Sequence, residues 1–232
     1  MNQPWAIDLV VLDMAGTTLE DGGQVVDAFT GALRQHQIVV SKAELQAWRG
    51  ASKREVLRFF VERDYGAADP ANIRRVEEIY ATFRTRLEEA YAQGPVRPVT
   101  GTEATFDWLR RHGIRIALTT GFYRQVTDIL LGAVGWHGNV VDAVICSDEV
   151  PRGRPAPYMI YRAMEATGVI DVRRVAKVGD TVFDLLAGKN AGLELIVGVL
   201  SGSQSRAQLG QVPGVRLLGS VADLPGFLAD TN

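Results

Sequence analysis

A single cysteine, Cys146, excludes an internal disulfide and any metal site built from thiolates alone. There are three histidines, His36, His112 and His137, and each reads as a surface or loop residue. No apolar run approaches the ~20 residues of a membrane span. The opening MNQPWAID has no basic segment followed by an apolar one. These absences make a cytoplasmic protein the expectation. A formal net charge of −2 offers no concentrated basic face, which argues against nucleic acid as a partner. Internal repeats, low-complexity tracts and long linkers are missing as well.

What remains is a chain of ordinary globular composition, 47% hydrophobic and 22% charged over 232 residues, long enough to bury most of its apolar surface. Short β-branched runs at Ile7–Leu12, Ile114–Thr119, Val141–Cys146, Val175–Val178 and Leu195–Val199 read as strands buried on both faces. Cys146, inside VDAVICSD, reads as a small core residue. Helical patterns alternate with the later runs: TEATFDWLRRHG, with Gly113 as its C-cap, then YRQVTDILLGAVG, APYMIYRAMEATG and DLLAGKNAG. Such alternation predicts an α/β fold with a parallel sheet.

The stretch from Gly23 to about Gln93 carries only amphipathic helical patterns, and PVRPVTG after it suits a return hinge. An all-helical cap, residues 22–95, is therefore expected to interrupt an α/β core of residues 1–21 and 96–232. Inserted after the first strand, it would sit over the carboxyl ends of the strands, where open α/β sheets bind ligands.

Each predicted strand hands over to polar residues there. The first ends at Asp13 and AGTT, and the second at Thr119, Thr120 and Gly121. The third runs into SDEVPRGRP, with Asp148, Arg152 and Arg154, and the fourth into GDTVFD, with Asp180 and Asp184. One polar strand end is a cap or a turn; four on one rim mark a site. Converging carboxylates raise one another's pKa unless a cation intervenes. An oxygen-only donor set favours a hard ion such as Mg²⁺. The Thr120 hydroxyl, the N–H groups around Gly16 and Gly121, and the Arg154 charge then form a phosphoryl cradle. In such a cradle Asp13 can act as nucleophile through an aspartyl-phosphate.

These four signatures, in this order, resemble those of the haloacid dehalogenase superfamily of phosphoryl-transfer enzymes, a Rossmann-like parallel-sheet fold with an inserted cap. The resemblance implies Asp13 as nucleophile. It implies Thr17, Thr120, Gly121 and Arg154 as the phosphate-binding set, and Asp13, Ala15, Asp180 and Asp184 as the Mg²⁺ site, with Ala15 giving its backbone carbonyl. Phosphatases of the superfamily carry a second Asp two residues after the nucleophile, where this chain has Ala15. Alanine cannot transfer a proton, so a poor alkoxide leaving group would lose help worth ~10²–10⁴-fold.

DMAGTT, TTGFYR, DEVPRGRPAPYM and KVGDTVFDLLAGKNAG are similar to the phosphonoacetaldehyde hydrolase (phosphonatase) subgroup. In that subgroup a cap lysine forms an imine with the substrate aldehyde, and the position matching it is Lys53 in RGASKREVLRFF. By spacing alone Lys53 shares a helix face with Val56, Leu57 and Phe60, and either snorkels past that stripe or is partly desolvated. Two positions depart from the subgroup: its methionine four residues before the lysine is Arg49 here, and its histidine three residues after is Val56. A hydroxylated phosphonoacetaldehyde, or a substrate whose carboxylate Arg49 holds, is therefore also compatible.

The expected partner is a small phosphonate or phosphate. A phosphoglycolate- or sugar-phosphate-phosphatase-like phosphomonoesterase is the alternative, in which Lys53 merely contacts substrate. A phospho-acceptor module is the third reading, and the long helical insertion speaks against it. The resemblance also admits a homodimer through the cap, which nothing in the periodicity establishes.

Overall fold

The computed structural model describes residues 6–48 and 51–230. The sheet has six parallel strands: β1 (Leu9–Asp13), β2 (Arg115–Thr120), β3 (Ala143–Cys146), β4 (Val175–Gly179), β5 (Leu195–Val199) and β6 (Arg216–Leu218). Their order across the sheet is β3-β2-β1-β4-β5-β6. Five strands match the predicted runs within about two residues. The sixth was not predicted: RLL is three residues long, lies at the edge and is only partly buried, so it gives neither alternation nor a sustained apolar run.

The central strand shows why β1 is apolar at every position. Val10 and Leu12 point into one layer with Phe106 and Leu109. Leu9 and Val11 point into the other with Ile160, Ala163 and Leu185. Burying each such side chain stabilises the fold by about 1.5–3 kcal/mol before entropy is subtracted. The flanking helices are α5 (Thr102–Arg111), α6 (Arg124–Val134), α7 (Tyr158–Thr167) and α8 (Val182–Ala191). Short helices α9 (Arg206–Leu209) and α10 (Leu224–Ala229) follow β5 and β6. At the end of α5 the C-cap is His112, one residue before the expected Gly113, which follows with φ +72°.

Between β1 and α5 lie four helices and no strand among the described residues: α1 (Gln24–Gln35), α2 (Lys42–Ala47), α3 (Lys53–Tyr65) and α4 (Asn72–Gln93). The apolar side chains of the insertion, among them Phe29 and Phe83 with rings 4.4 Å apart, join one layer of the core. The chain enters and leaves it side by side: Glu20 N donates to Arg97 O at 2.9 Å, and Val99 N to Thr18 O at 2.9 Å. Against the core, the Tyr123 hydroxyl donates to Glu88 at 2.7 Å, and Tyr91 meets Phe122 edge-on.

Parallel register then assembles the rim. Asp13 pairs with Thr119, Thr120 with Cys146, and Leu12 with Val178, so the first, second and fourth polar ends emerge side by side. Cys146 is fully buried as expected, its thiol donating to Thr127 at 3.3 Å, and burial pushes its pKa up to about 12.

Candidate active site

Asp13 closes β1 and is almost fully buried. The chain then turns back, with Thr17, Thr18 and Leu19 all donating backbone N–H groups to Met14 O. Gly16 makes this turn with φ +89°. A Cβ there would lie 2.5 Å from Asp180 Oδ2, so the position demands glycine twice over. Asp180 follows β4, and Thr181 caps α8: its hydroxyl accepts the Asp184 N–H at 3.3 Å and donates to Asp184 Oδ2 at 2.6 Å. Arg154 reaches in from the loop after β3, which Asn190 of α8 anchors by donating to Pro155 O at 2.8 Å.

One oxygen each from Asp13, Asp180 and Asp184 lie within 4.8 Å of one another, all buried. Two cations answer them. Arg154 Nη1 donates to Asp13 Oδ1 at 2.7 Å and also to Asp184 Oδ1. Lys177, fully buried in β4, donates to Asp184 Oδ1 at 2.8 Å and to the Thr119 hydroxyl at 3.1 Å. Three carboxylates against two cations leave the cluster one negative charge in excess when all are ionised, and the pKa values record it. Burial, then the charges of Asp13 and Asp184, push Asp180 up to about 7. Asp13 is raised by burial, with Asp184 adding to the shift and Arg154 opposing it. Burial works against the Asp184 carboxylate too, but Arg154 and Lys177 outweigh it and hold its pKa at about 2. The same two acids raise Arg154 above its ordinary value despite the cost of burial. An all-oxygen donor set with surplus negative charge fits a hard divalent cation.

A cavity of about 680 Å³, counting its open mouth, lies between rim and insertion. Asp13, Ala15, Thr120, Gly121, Arg154 and Asp180 line it from the core, and Lys53 from α3. Lys53 is half-buried, with Nζ 6.0 Å from the centre of the Phe122 ring. Arg154 Nη2 and Lys53 Nζ approach Gly121 to 3.2 and 3.8 Å from the point its Cβ would occupy. Val56, Leu57 and Phe60 on the same helix are buried, while Arg54 and Arg58 are exposed, so the face read from spacing is the inward one. Arg49 lies outside the described residues.

Two site candidates from the sequence are set behind the cavity wall. Thr17 is fully buried and its hydroxyl donates to Asp180 Oδ1 at 3.4 Å, which orients that acid. Asp184 has both oxygens engaged by Arg154, Lys177 and Thr181 and does not line the cavity. The Thr120 hydroxyl lines it and accepts the Phe122 N–H at 3.1 Å.

Lys177 was missed, although a lysine inside the strand VAKVG is a legible anomaly. Ser203 was also missed as a partner: its N–H and hydroxyl donate to Asp180 Oδ2 at 2.8 and 2.9 Å. The loop GVLSGSQSRAQL after β5 thus touches the site, through Ser203 on Asp180 and through the Ser201 hydroxyl, which donates to Gly16 O at 2.9 Å. His36, His112 and His137 do not line the cavity.

Comparison with known proteins agrees with this geometry. The haloacid dehalogenase-like hydrolase family matches residues 7–192. The chain is 31% identical over 205 residues to the phosphonoacetaldehyde hydrolase of Bacillus cereus, covering 85% of this chain and 77% of that one. It is 30% identical over 230 residues to the phosphonoacetaldehyde hydrolase of Syntrophobacter fumaroxidans, covering 91% and 81%. Among solved structures, a phosphonoacetaldehyde hydrolase-like protein from Oleispira antarctica superposes with a TM-score of 0.84 at 24% identity, covering 97% of this chain and 92% of that one. CbbY from Rhodobacter sphaeroides, solved in complex with phosphate, superposes with a TM-score of 0.77 at 21% identity, covering 94% and 96%. These two likenesses speak for the fold; the sequence matches carry the family. The chain belongs to the haloacid dehalogenase-like hydrolases, and within them it is similar to the phosphonoacetaldehyde hydrolases.

Proposed function

We propose that the protein is a Mg²⁺-dependent phosphonatase-like hydrolase, cleaving the C–P bond of phosphonoacetaldehyde or a close 2-oxoalkylphosphonate. One observation carries the reading: Lys53 lines the same cavity as Asp13, while Ala15 stands where an acid for an alkoxide leaving group would be needed. A carbon leaving group needs an electron sink more than a proton, and a cap amine can supply one.

In this reading the neutral Lys53 amine adds to the substrate carbonyl, and the carbinolamine oxygen takes up a proton from solvent and leaves as water, giving an iminium. Asp13 attacks phosphorus. The C–P bond breaks and its electron pair moves toward the iminium nitrogen, forming an enamine and an aspartyl-phosphate on Asp13. Protonation at carbon and hydrolysis of the imine release the aldehyde and restore Lys53. Water then releases phosphate from Asp13. Arg154, Thr120 and the Gly121 backbone would hold the phosphoryl oxygens. Asp13, Asp180 and the Ala15 carbonyl, with Asp184 behind them, would hold Mg²⁺, which when bound shields the attacking carboxylate from the phosphoryl charge. We further propose that residues 22–95 move as the cap, closing Lys53 onto the core and excluding water.

Borohydride reduction in the presence of phosphonoacetaldehyde tests this directly. A covalent adduct on Lys53, with phosphate release from wild type and about 10³-fold less from Lys53→Arg, is the expected result. No adduct, together with retained activity in Lys53→Arg, would refute it. The approach of Lys53 Nζ and Arg154 Nη2 to Gly121 also suits a lysine that only contacts phosphate, as in a phosphomonoesterase. Turnover of phosphoglycolate or a sugar phosphate with none of phosphonates would select that reading.

A further inference from the structure

The wall facing the phosphoryl site is apolar. Apart from Lys53 and Asp21, the insertion lines the cavity with Val25, Val26, Phe29, Leu45, Trp48 and Val56. The Asp21 carboxylate, which also lines the cavity, accepts the Gly23 N–H at 3.0 Å. Phe29, Leu45 and Val56 are buried, and Val25, Val26 and Trp48 are half-buried, so the wall is continuous with the interior of the insertion. Val56 stands one turn beyond Lys53 on α3, about 4.5 Å along the axis. A two-carbon aldehyde bound between Lys53 and Asp13 would leave this wall wet.

We propose that the wall is a subsite for an unbranched alkyl arm on the substrate, roughly three to five carbons reaching from the amine past Val56. The preferred substrate is then a longer-chain oxoalkylphosphonate rather than phosphonoacetaldehyde. This rests on the phosphonatase reading for the chemistry but on the cavity lining for the selectivity. Each methylene moved from water onto such a wall tightens binding about fourfold. A carboxylate at the end of the arm would be desolvated against Val25, Phe29 and Leu45 with no cation among the described wall residues beyond Lys53.

The test uses the full chain with Mg²⁺ and the n-alkylphosphonates from methyl to hexyl as inhibitors or calorimetric ligands. They carry no carbonyl, so their binding is independent of imine chemistry. The expected result is an affinity rising about fourfold per methylene once the chain passes the two carbons that span phosphonate to amine, and still rising at pentyl, with the ω-carboxyalkylphosphonate of equal length at least about tenfold weaker. Val26→Asn, at a half-exposed position that tolerates a polar side chain, and Val56→Thr should each flatten that slope. An affinity that stays level or falls with chain length, or tighter binding of the carboxylated series, overturns the proposal. A clear slope without release of phosphate from any oxoalkylphosphonate would uphold the subsite and sink the C–P reading. Hydrolysis of phosphonoacetaldehyde with a level series would do the reverse.

Discussion

Arg154 and Asp13 form a 2.7 Å ion pair in which neither side chain is more than 6% exposed, and the same guanidinium nitrogen also reaches Asp184. A cation shared in this way opposes the upward pull of burial on Asp13 and helps to hold Asp184 low. Replacing Arg154 by Met removes it, leaving Asp13 without its paired cation and Asp184 with Lys177 alone. Without metal, the loss of stability at pH 8 should be about 3 kcal/mol, at the lower end for a broken buried pair. It should shrink toward pH 5, where the acids can take up protons. Urea denaturation in EDTA at the two pH values measures this, and an equal loss at both would show that the pair is not electrostatic in effect.

Ala15→Asp should create ester hydrolysis. Ala15 lines the cavity two residues from Asp13, and a carboxyl group there would supply the acid that an alkoxide leaving group needs. General acid catalysis predicts a gain of about 10²-fold in phosphate release from a simple phosphate monoester. A rate unchanged from wild type would mean that some other group already protonates leaving groups, and the argument from Ala15 would fall with it.

Metal binding should be strongly pH-dependent. Asp180, held at about 7, keeps a proton in the folded state that the unfolded chain has lost above its ordinary value of 3.8. Stability without metal therefore falls as pH rises from about 4 to about 7. The raised pKa of Asp13 adds in the same direction. Asp184, held at about 2, acts the other way but only below pH 4: its contribution is present above the ordinary carboxylate range and lost on acidification toward 2. Mg²⁺ must displace the Asp180 proton, so its stabilisation of the fold should be small at pH 5.5 and grow to pH 8. Thermal melts with EDTA and with excess Mg²⁺ at both pH values will tell; equal Mg²⁺ shifts would contradict a protonated Asp180.

The sequence was legible where one physical rule dominates. Strands buried on both faces are mostly apolar, so β1, β2, β4 and β5 announced themselves; β3, a partly buried edge strand, was still legible from its apolar run, whereas β6, short and half-exposed, offers no such run. Asp13, Arg154 and Asp180 could be placed on one rim because parallel strands present their carboxyl ends together. What spacing cannot supply is direction. Thr17 lies in the turn after Asp13, yet its hydroxyl serves Asp180 and not the cavity. Asp184 has the right spacing for a ligand but its oxygens face Arg154, Lys177 and Thr181. Lys53 was ambiguous for the same reason, since an inward helix face does not say whether the amine meets solvent or the site.

Gly202→Ala should weaken metal binding without replacing any ligand. Gly202 follows Ser201, whose hydroxyl donates to Gly16 O at 2.9 Å, and precedes Ser203, whose N–H and hydroxyl hold Asp180. A Cβ at Gly202 would lie 2.1 Å from Asp180 Oδ2 and 2.3 Å from its Cβ. A rotamer change cannot relieve contact with a Cβ, so either the loop or the end of β4 must move. Overpacking of this kind costs about 1–3 kcal/mol, and displacing the loop also strips Asp180 of two donors. Groups that orient a ligand in this way are each worth about 10–100-fold in metal affinity. Mg²⁺ titration by calorimetry should therefore show at least about a tenfold loss for Gly202→Ala. Gly226→Ala, where an added Cβ meets nothing within 4 Å, should bind as wild type. If Gly202→Ala binds Mg²⁺ normally, Asp180 is not a metal ligand held by this loop, and the cation must be sought at Asp13 and Asp184 alone.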